Sequence, residues 1–76
     1  MILYFSIHDD PDHITRGWVR VTNAFAAAND KAIVKIAAQE GFDVDPEPDD
    51  YETTADESPT TLDQLRAYLR TVTNVP

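Results

Sequence analysis

Asn29-Asp30-Lys31-Ala32-Ile33-Val34-Lys35-Ile36-Ala37-Ala38-Gln39-Glu40-Gly41 is the stretch on which the fold turns. Its three β-branched residues, Ile33, Val34 and Ile36, suit a strand as well as a helix. Spacing decides for helix. Ala32, Ile33, Ile36 and Ala37 form one apolar stripe, Asp30 sits in the first turn where the helix dipole favours an acid, and Gly41 stands where a C-cap glycine belongs. Two asparagines offer an N-cap. Asn29 is the better placed, giving a helix over residues 30–40, because a start at Asn23 would put Phe25 and Asn29 on one face and bury an amide without an obvious partner.

On the N-terminal side, Ile2-Leu3-Tyr4-Phe5-Ser6-Ile7 is β-branched and aromatic, with Leu3, Phe5 and Ile7 on one side of a pleat, and reads as a strand over 2–8. Asp9-Asp10-Pro11-Asp12 is turn chemistry that stops it. Trp18-Val19-Arg20-Val21-Thr22 alternates again, Val19 and Val21 inward and Arg20 outward, which predicts a second strand over 18–25 pairing antiparallel with the first. On the C-terminal side, Phe42-Asp43-Val44 begins a third strand, after which Pro46 and Pro48 are expected to forbid regular pairing; Tyr51-Glu52-Thr53-Thr54 is a place for it to resume. The last element is the cleanest. Leu62, Leu65, Leu69 and Val72 recur at helical spacing with Tyr68 beside them, predicting a helix over 60–73, with Ser58 as N-cap, Pro59 at the first helical position and Thr60-x-x-Asp63 resembling a capping box. Asp63 and Arg66 are spaced to pair across one turn. Leu62, Leu65, Leu69 and Ile36 are the expected core. The order β-β-α-(β)-α predicts an α+β fold, a small two-layer sandwich in which an antiparallel β pair, extended by a third strand, is packed by two helices.

Composition limits what such a fold can do. The chain has 76 residues with 14 acidic and 6 basic side chains and a net charge of -8. A domain near this size buries roughly 60% of its unfolded surface, so one domain spanning 1–76 is expected, with an acidic loop at 43–57. Without cysteine there is no disulfide framework, thiol nucleophile or zinc-thiolate site. No apolar run approaches the length of a membrane span, and Met1–Ile7 lacks the basic flank of a signal peptide, so a cytoplasmic protein is expected. A negative surface repels phosphate, which argues against direct nucleic-acid or anionic-membrane binding.

The charge is concentrated. Residues 1–42 carry five acids and four bases, residues 58–76 one acid and two bases, and residues 43–57 eight acids and no base. A protein adapted to high salt would spread its acids; this one places Asp43, Asp45, Glu47, Asp49, Asp50, Glu52, Asp56 and Glu57 in one block. Such a block is either a solvated loop or a recognition surface for a basic partner. Trp18, flanked by Arg16 and Arg20, is a second candidate partner-binding residue.

Other constellations carry less. His8, Asp9, Asp10, Asp12 and His13 crowd into six residues, and imidazoles with carboxylates are metal-ligand or acid–base chemistry, but they share one turn and nothing elsewhere completes a shell. Asp43-x-Asp45-x-Glu47 opens like a calcium loop, then places Pro48 and Thr54 where the EF-hand needs glycine and glutamate. With no glycine-rich phosphate loop and no motif around Ser6 or Ser58, no catalytic residue, metal or cofactor is expected.

In its length, its acid block and the run Val19-Arg20-Val21-Thr22-Asn23-Ala24 leading into an alanine-rich helix, the chain resembles the small acidic proteins that phages encode to block host defence, anti-CRISPR proteins among them. The resemblance implies a stoichiometric, non-catalytic inhibitor that sets carboxylates where a nucleic-acid backbone would lie, acting inside a host cell. It fixes no positions. The expected partner is a larger protein or ribonucleoprotein complex with a basic surface, met by a monomer or weak homodimer. The alternative is an adaptor that binds through Trp18 or the C-terminal helix, and the third a metal-dependent activity at His8–His13.

Overall fold

The computed structural model describes residues 1–48 and 59–73. Strands β1 (Ile2–Ile7) and β2 (Thr15–Arg20) are followed by helix α1 (Asn23–Gln39), strand β3 (Phe42–Glu47) and helix α2 (Leu62–Thr73). The strands form one antiparallel sheet in the order β2-β1-β3. The predicted α+β class and the order β-β-α-β-α both hold.

Alternation along β1 and β2 sends Leu3, Phe5 and Val19 to the face that the helices cover, where they join Ile33, Ile36, Ala37, Leu65 and Leu69 in one buried cluster. Phe5 is its centre: fully buried, edge-on to Phe42 at 6.4 Å and tilted against Tyr68 at 6.3 Å. Leu65 and Leu69 are fully buried and Ile36 nearly so, whereas Leu62, expected in the core, is only half-buried at the start of α2. Ile7 shares the side of Phe5 but occupies the last rung of β1 and remains 46% exposed. Where α2 crosses β2, Tyr68 Oη donates to Trp18 O at 3.1 Å. Two residues on, Arg70 Nε donates to Glu40 Oε1 at 2.8 Å, tying α2 to the end of α1.

Several boundaries differ from expectation, each for a local reason. β1 stops at Ile7 rather than residue 8 because Asp9 takes a left-handed conformation (φ 65°) and opens the turn. β2 runs over 15–20 rather than 18–25, because Thr22 is needed elsewhere: its Oγ1 accepts Phe25 N at 3.1 Å and caps α1. So α1 begins at Asn23, not at 30, and Asn29 is not its cap. Asn29 is instead a break inside the helix (φ -128°, ψ 18°), and its Nδ2 donates to Phe25 O at 3.0 Å. The amide that seemed to lack a partner finds one in the carbonyl a turn earlier. Gly41, at φ 87°, ends the helix as expected.

The acid block starts as strand rather than loop, since β3 continues through Pro46, which pairs opposite Leu3. His8 N donates to Gly41 O at 3.0 Å in the same register. Hydrogen-bonded rungs of an antiparallel ladder alternate, so the Leu3–Pro46 rung is a non-bonded one and the missing N–H of Pro46 falls on the free edge. At α2 the cap is Thr61 rather than Ser58, three residues later than predicted: its Oγ1 accepts Gln64 N at 3.2 Å, and Gln64 Oε1 reaches back to Thr60 N at 2.8 Å. Pro59 precedes the helix, and Thr60 and Asp63 do not form the expected box. Asp63 and Arg66 do approach across one turn, at 3.9 Å. Ser58 and the 51–54 stretch lie outside the described residues.

Candidate protein-binding face

Both helices lie on one side of the sheet, and period-two alternation delivers a second set of side chains to the other. On β3, Phe42 and Val44 pack against the helices, and Asp43, Asp45 and Glu47 point outward, exposed, in a single column. The register places Asp43 beside Ser6, Asp45 beside Tyr4 and Glu47 beside Ile2, while Trp18 and Arg20 flank Tyr4 and Ile2 from β2. Two rows therefore cross the open face: Trp18–Tyr4–Asp45 and Arg20–Ile2–Glu47. Trp18 is 52% exposed, and the Arg20 guanidinium lies 5.9 Å from its ring centroid. A shallow concavity of about 560 Å³ runs along the acid column between Tyr4, Thr15 and Asp45.

His8 closes the end of the column. Its Nδ1 is 2.8 Å from Asp43 Oδ1 and its Nε2 is 3.4 Å from Asp9 Oδ2. The hydrogen bond to Asp43, then the charges of Asp9 and Asp43, raise the imidazole above its ordinary value of 6.5. Protonated His8 neutralises the first carboxylate of the column; neutral His8 leaves it charged.

Sequence proximity does not carry the turn cluster into a site. Asp10 Oδ1 accepts Asp12 N at 3.0 Å in an Asx turn, and Asp10 Oδ2 lies 3.9 Å from Arg16. His13, exposed, takes a left-handed conformation at φ 51°. Among the described residues no group of three or more His, Asp or Glu side chains is arranged to hold a metal ion. The calcium-like run Asp43-x-Asp45-x-Glu47 lies on an extended strand rather than in a coordinating loop.

Of the eight acids in the block, Asp43, Asp45 and Glu47 belong to this face; Asp49, Asp50, Glu52, Asp56 and Glu57 lie outside the described residues. Trp18 and the acids, which the sequence offers as rival sites, share one surface. Tyr4 and Ile2 between them were not anticipated as site residues, although alternation from Leu3 and Phe5 puts Tyr4 opposite the core. His8, offered by the sequence as a metal or acid–base candidate within its turn, is instead paired with an acid 35 positions away. No helix among the described residues is long and apolar enough to cross a membrane. No protein-family model, curated protein or solved structure matches the chain.

Proposed function

We propose that this chain is a non-catalytic binding protein that docks its open sheet face, acid column foremost, on a basic surface of a larger protein or ribonucleoprotein complex, most specifically a surface that otherwise holds nucleic acid. The observation that supports this is the column itself: three exposed carboxylates at every second residue of one strand, held by pairing to β1 and flanked by Tyr4 and Trp18. Alternate residues of a strand rise about 6.7 Å, so the column sets its carboxylates at a short, regular spacing, as a nucleic-acid backbone does its phosphates. A rigid column needs little ordering when it docks, and its field steers association with a basic cleft. The block continues past Glu47 with Asp49, Asp50 and Glu52, which extend the charge in sequence. The action proposed is inhibition by occupancy, in a host cell where the chain is phage-encoded, as the resemblance implies.

Trp18 favours an adaptor that binds through the same face, with the acids as a polar rim around an aromatic anchor. Leu65 and Leu69, fully buried, are committed to the core. Affinity capture with the full chain as bait separates the two. Partners held through the acids are released between about 50 mM and about 500 mM salt and by added nucleic acid, and are not retained by the combined variant Asp43→Lys, Asp45→Lys, Glu47→Lys. The companion variant Asp49→Lys, Asp50→Lys, Glu52→Lys measures the rest of the block. Partners retained by both variants at both salt levels, and lost with Trp18→Ala, would establish the adaptor instead.

A further inference from the structure

We propose that α1 is a self-association surface on which a second copy of the chain packs antiparallel about a two-fold axis. The inference does not depend on the sheet-face reading, because α1 lies on the opposite side of the sheet. Between α1 and β3 runs an apolar groove of about 800 Å³, floored by Leu3, Ile33, Val44 and Pro46. Its helical wall is the stripe Ala27, Asp30, Lys31 and Val34, all exposed; Val34, at 56%, is the most exposed large apolar residue among those described. Val34 projects beside the groove, so the valine and the groove floor form one apolar patch on this face.

The occupant is identified by the stripe's own symmetry. Asp30 and Lys31 sit at its midpoint in sequence, just past the break at Asn29, with Ala27 and Val34 three positions out on either side and all four lining the one groove. Positions whose numbers sum to 61 face each other when a second copy is laid antiparallel across that midpoint. Asp30 then meets Lys31 of the other copy, twice, and the small Ala27 receives Val34, twice. A two-fold interface requires this reciprocity: each patch is complementary to itself. A parallel copy in register would set Asp30 on Asp30 and Lys31 on Lys31, which like-charge repulsion disfavours. The dimer leaves both sheet faces outward and open, so each can still meet a basic surface.

Sedimentation velocity on the full chain across a wide concentration range tests the proposal. The expected result is a shift from the 8.5 kDa monomer toward about twice that mass. Val34→Glu and Lys31→Asp should each remain monomeric throughout, with unchanged helical circular dichroism, because both positions are exposed. The swap Asp30→Lys with Lys31→Asp restores the reciprocal pairing and should restore the dimer. A parent that is monomeric at every concentration, a Val34→Glu variant that associates as the parent does, or a swap that fails to recover association would each overturn the proposal.

Discussion

Gly17 of β2 lies against Tyr68 and Val72 of α2, and substituting it tests how α2 is seated. A Cβ at Gly17 would lie 2.5 Å from Tyr68 Oη and 3.2 Å from Val72 Cγ2. The phenol oxygen is itself held, donating to Trp18 O at 3.1 Å. Gly17 is not in the left-handed region, so alanine fits the backbone and by itself would stabilise by about 0.4–1 kcal/mol through the unfolded chain. Against this, the hydroxyl must swing off Trp18 O, losing about 0.5–1.5 kcal/mol, and crowding adds about 1–3 kcal/mol. Gly17→Ala should therefore destabilise by about 1–3 kcal/mol, at about 4–8 °C of Tm per kcal/mol.

The double-mutant cycle identifies the oxygen as the cause. Tyr68→Phe alone loses one solvent-exposed hydrogen bond, about 0.5–1 kcal/mol. Once the oxygen is gone, the nearest approaches to the new Cβ are Val72 Cγ2 at 3.2 Å and Tyr68 Cζ at 3.5 Å, and the backbone gain from alanine reappears. Gly17→Ala with Tyr68→Phe should be more stable than the sum of the singles by about 1–3 kcal/mol. Urea unfolding of the four proteins, followed by circular dichroism, measures the coupling. Effects that add within about 0.5 kcal/mol, or a Gly17→Ala protein as stable as the parent, would refute this account of the contact between β2 and α2.

Thr22→Ala should lower stability by about 1 kcal/mol, read as a Tm loss of about 4–8 °C, because Thr22 caps α1; a helix starting at residue 30 would not respond. Leu65→Ala, at a fully buried site, should cost about 2–5 kcal/mol out of a total near 4–11 kcal/mol for this length, so a chain whose melt is unchanged excludes Leu65 from the core. The raised His8 makes two opposite predictions. Its contribution to stability is fully present below the ordinary 6.5 and fades as pH rises through the higher folded value, while docking through the acid column strengthens over the same rise as Asp43 loses its cationic neighbour. His8→Gln should flatten both profiles; a melt and a binding curve equally pH-dependent in that variant would dismiss the His8–Asp43 contact as their source.

What the sequence discloses about this fold follows from which patterns are self-contained. Period-two alternation in Ile2–Ile7 and helical spacing from Leu62 to Val72 are complete within their own windows, and both elements form as expected but for one residue at the end of β1 and two at the start of α2. The errors arise where a residue has two uses. Thr22 extends the β pattern but serves as a cap, so the strand yields to the helix. Asn29 has the chemistry of an N-cap but a broken turn that supplies its own acceptor. Pro46 is forbidden in a central strand and harmless at an edge, and only the strand order β2-β1-β3 places it at an edge. The candidate site was half legible for the same reason. Its acids and Trp18 are visible as residues, but their union on one face depends on β1 lying between β2 and β3, a long-range pairing that no local pattern encodes.

Charge then has to be reconciled with both proposed surfaces, and salt does it with opposite signs. Two chains of charge -8 whose centres approach to about 20 Å repel by about 13 kcal/mol in unscreened water. Screening leaves about 3 kcal/mol of that at about 50 mM salt and a small fraction of 1 kcal/mol at about 500 mM. The two reciprocal Asp30–Lys31 contacts in the proposed dimer are exposed pairs worth about 0.2–1 kcal/mol each, so their loss to screening is smaller than the repulsion relieved. Self-association through α1 should therefore strengthen as salt rises. Docking of the acid column on a basic partner is attraction between opposite fields and should weaken over the same range. A self-association that instead weakens with salt, as partner binding does, would mean the acid column is part of the dimer contact and the two surfaces are one.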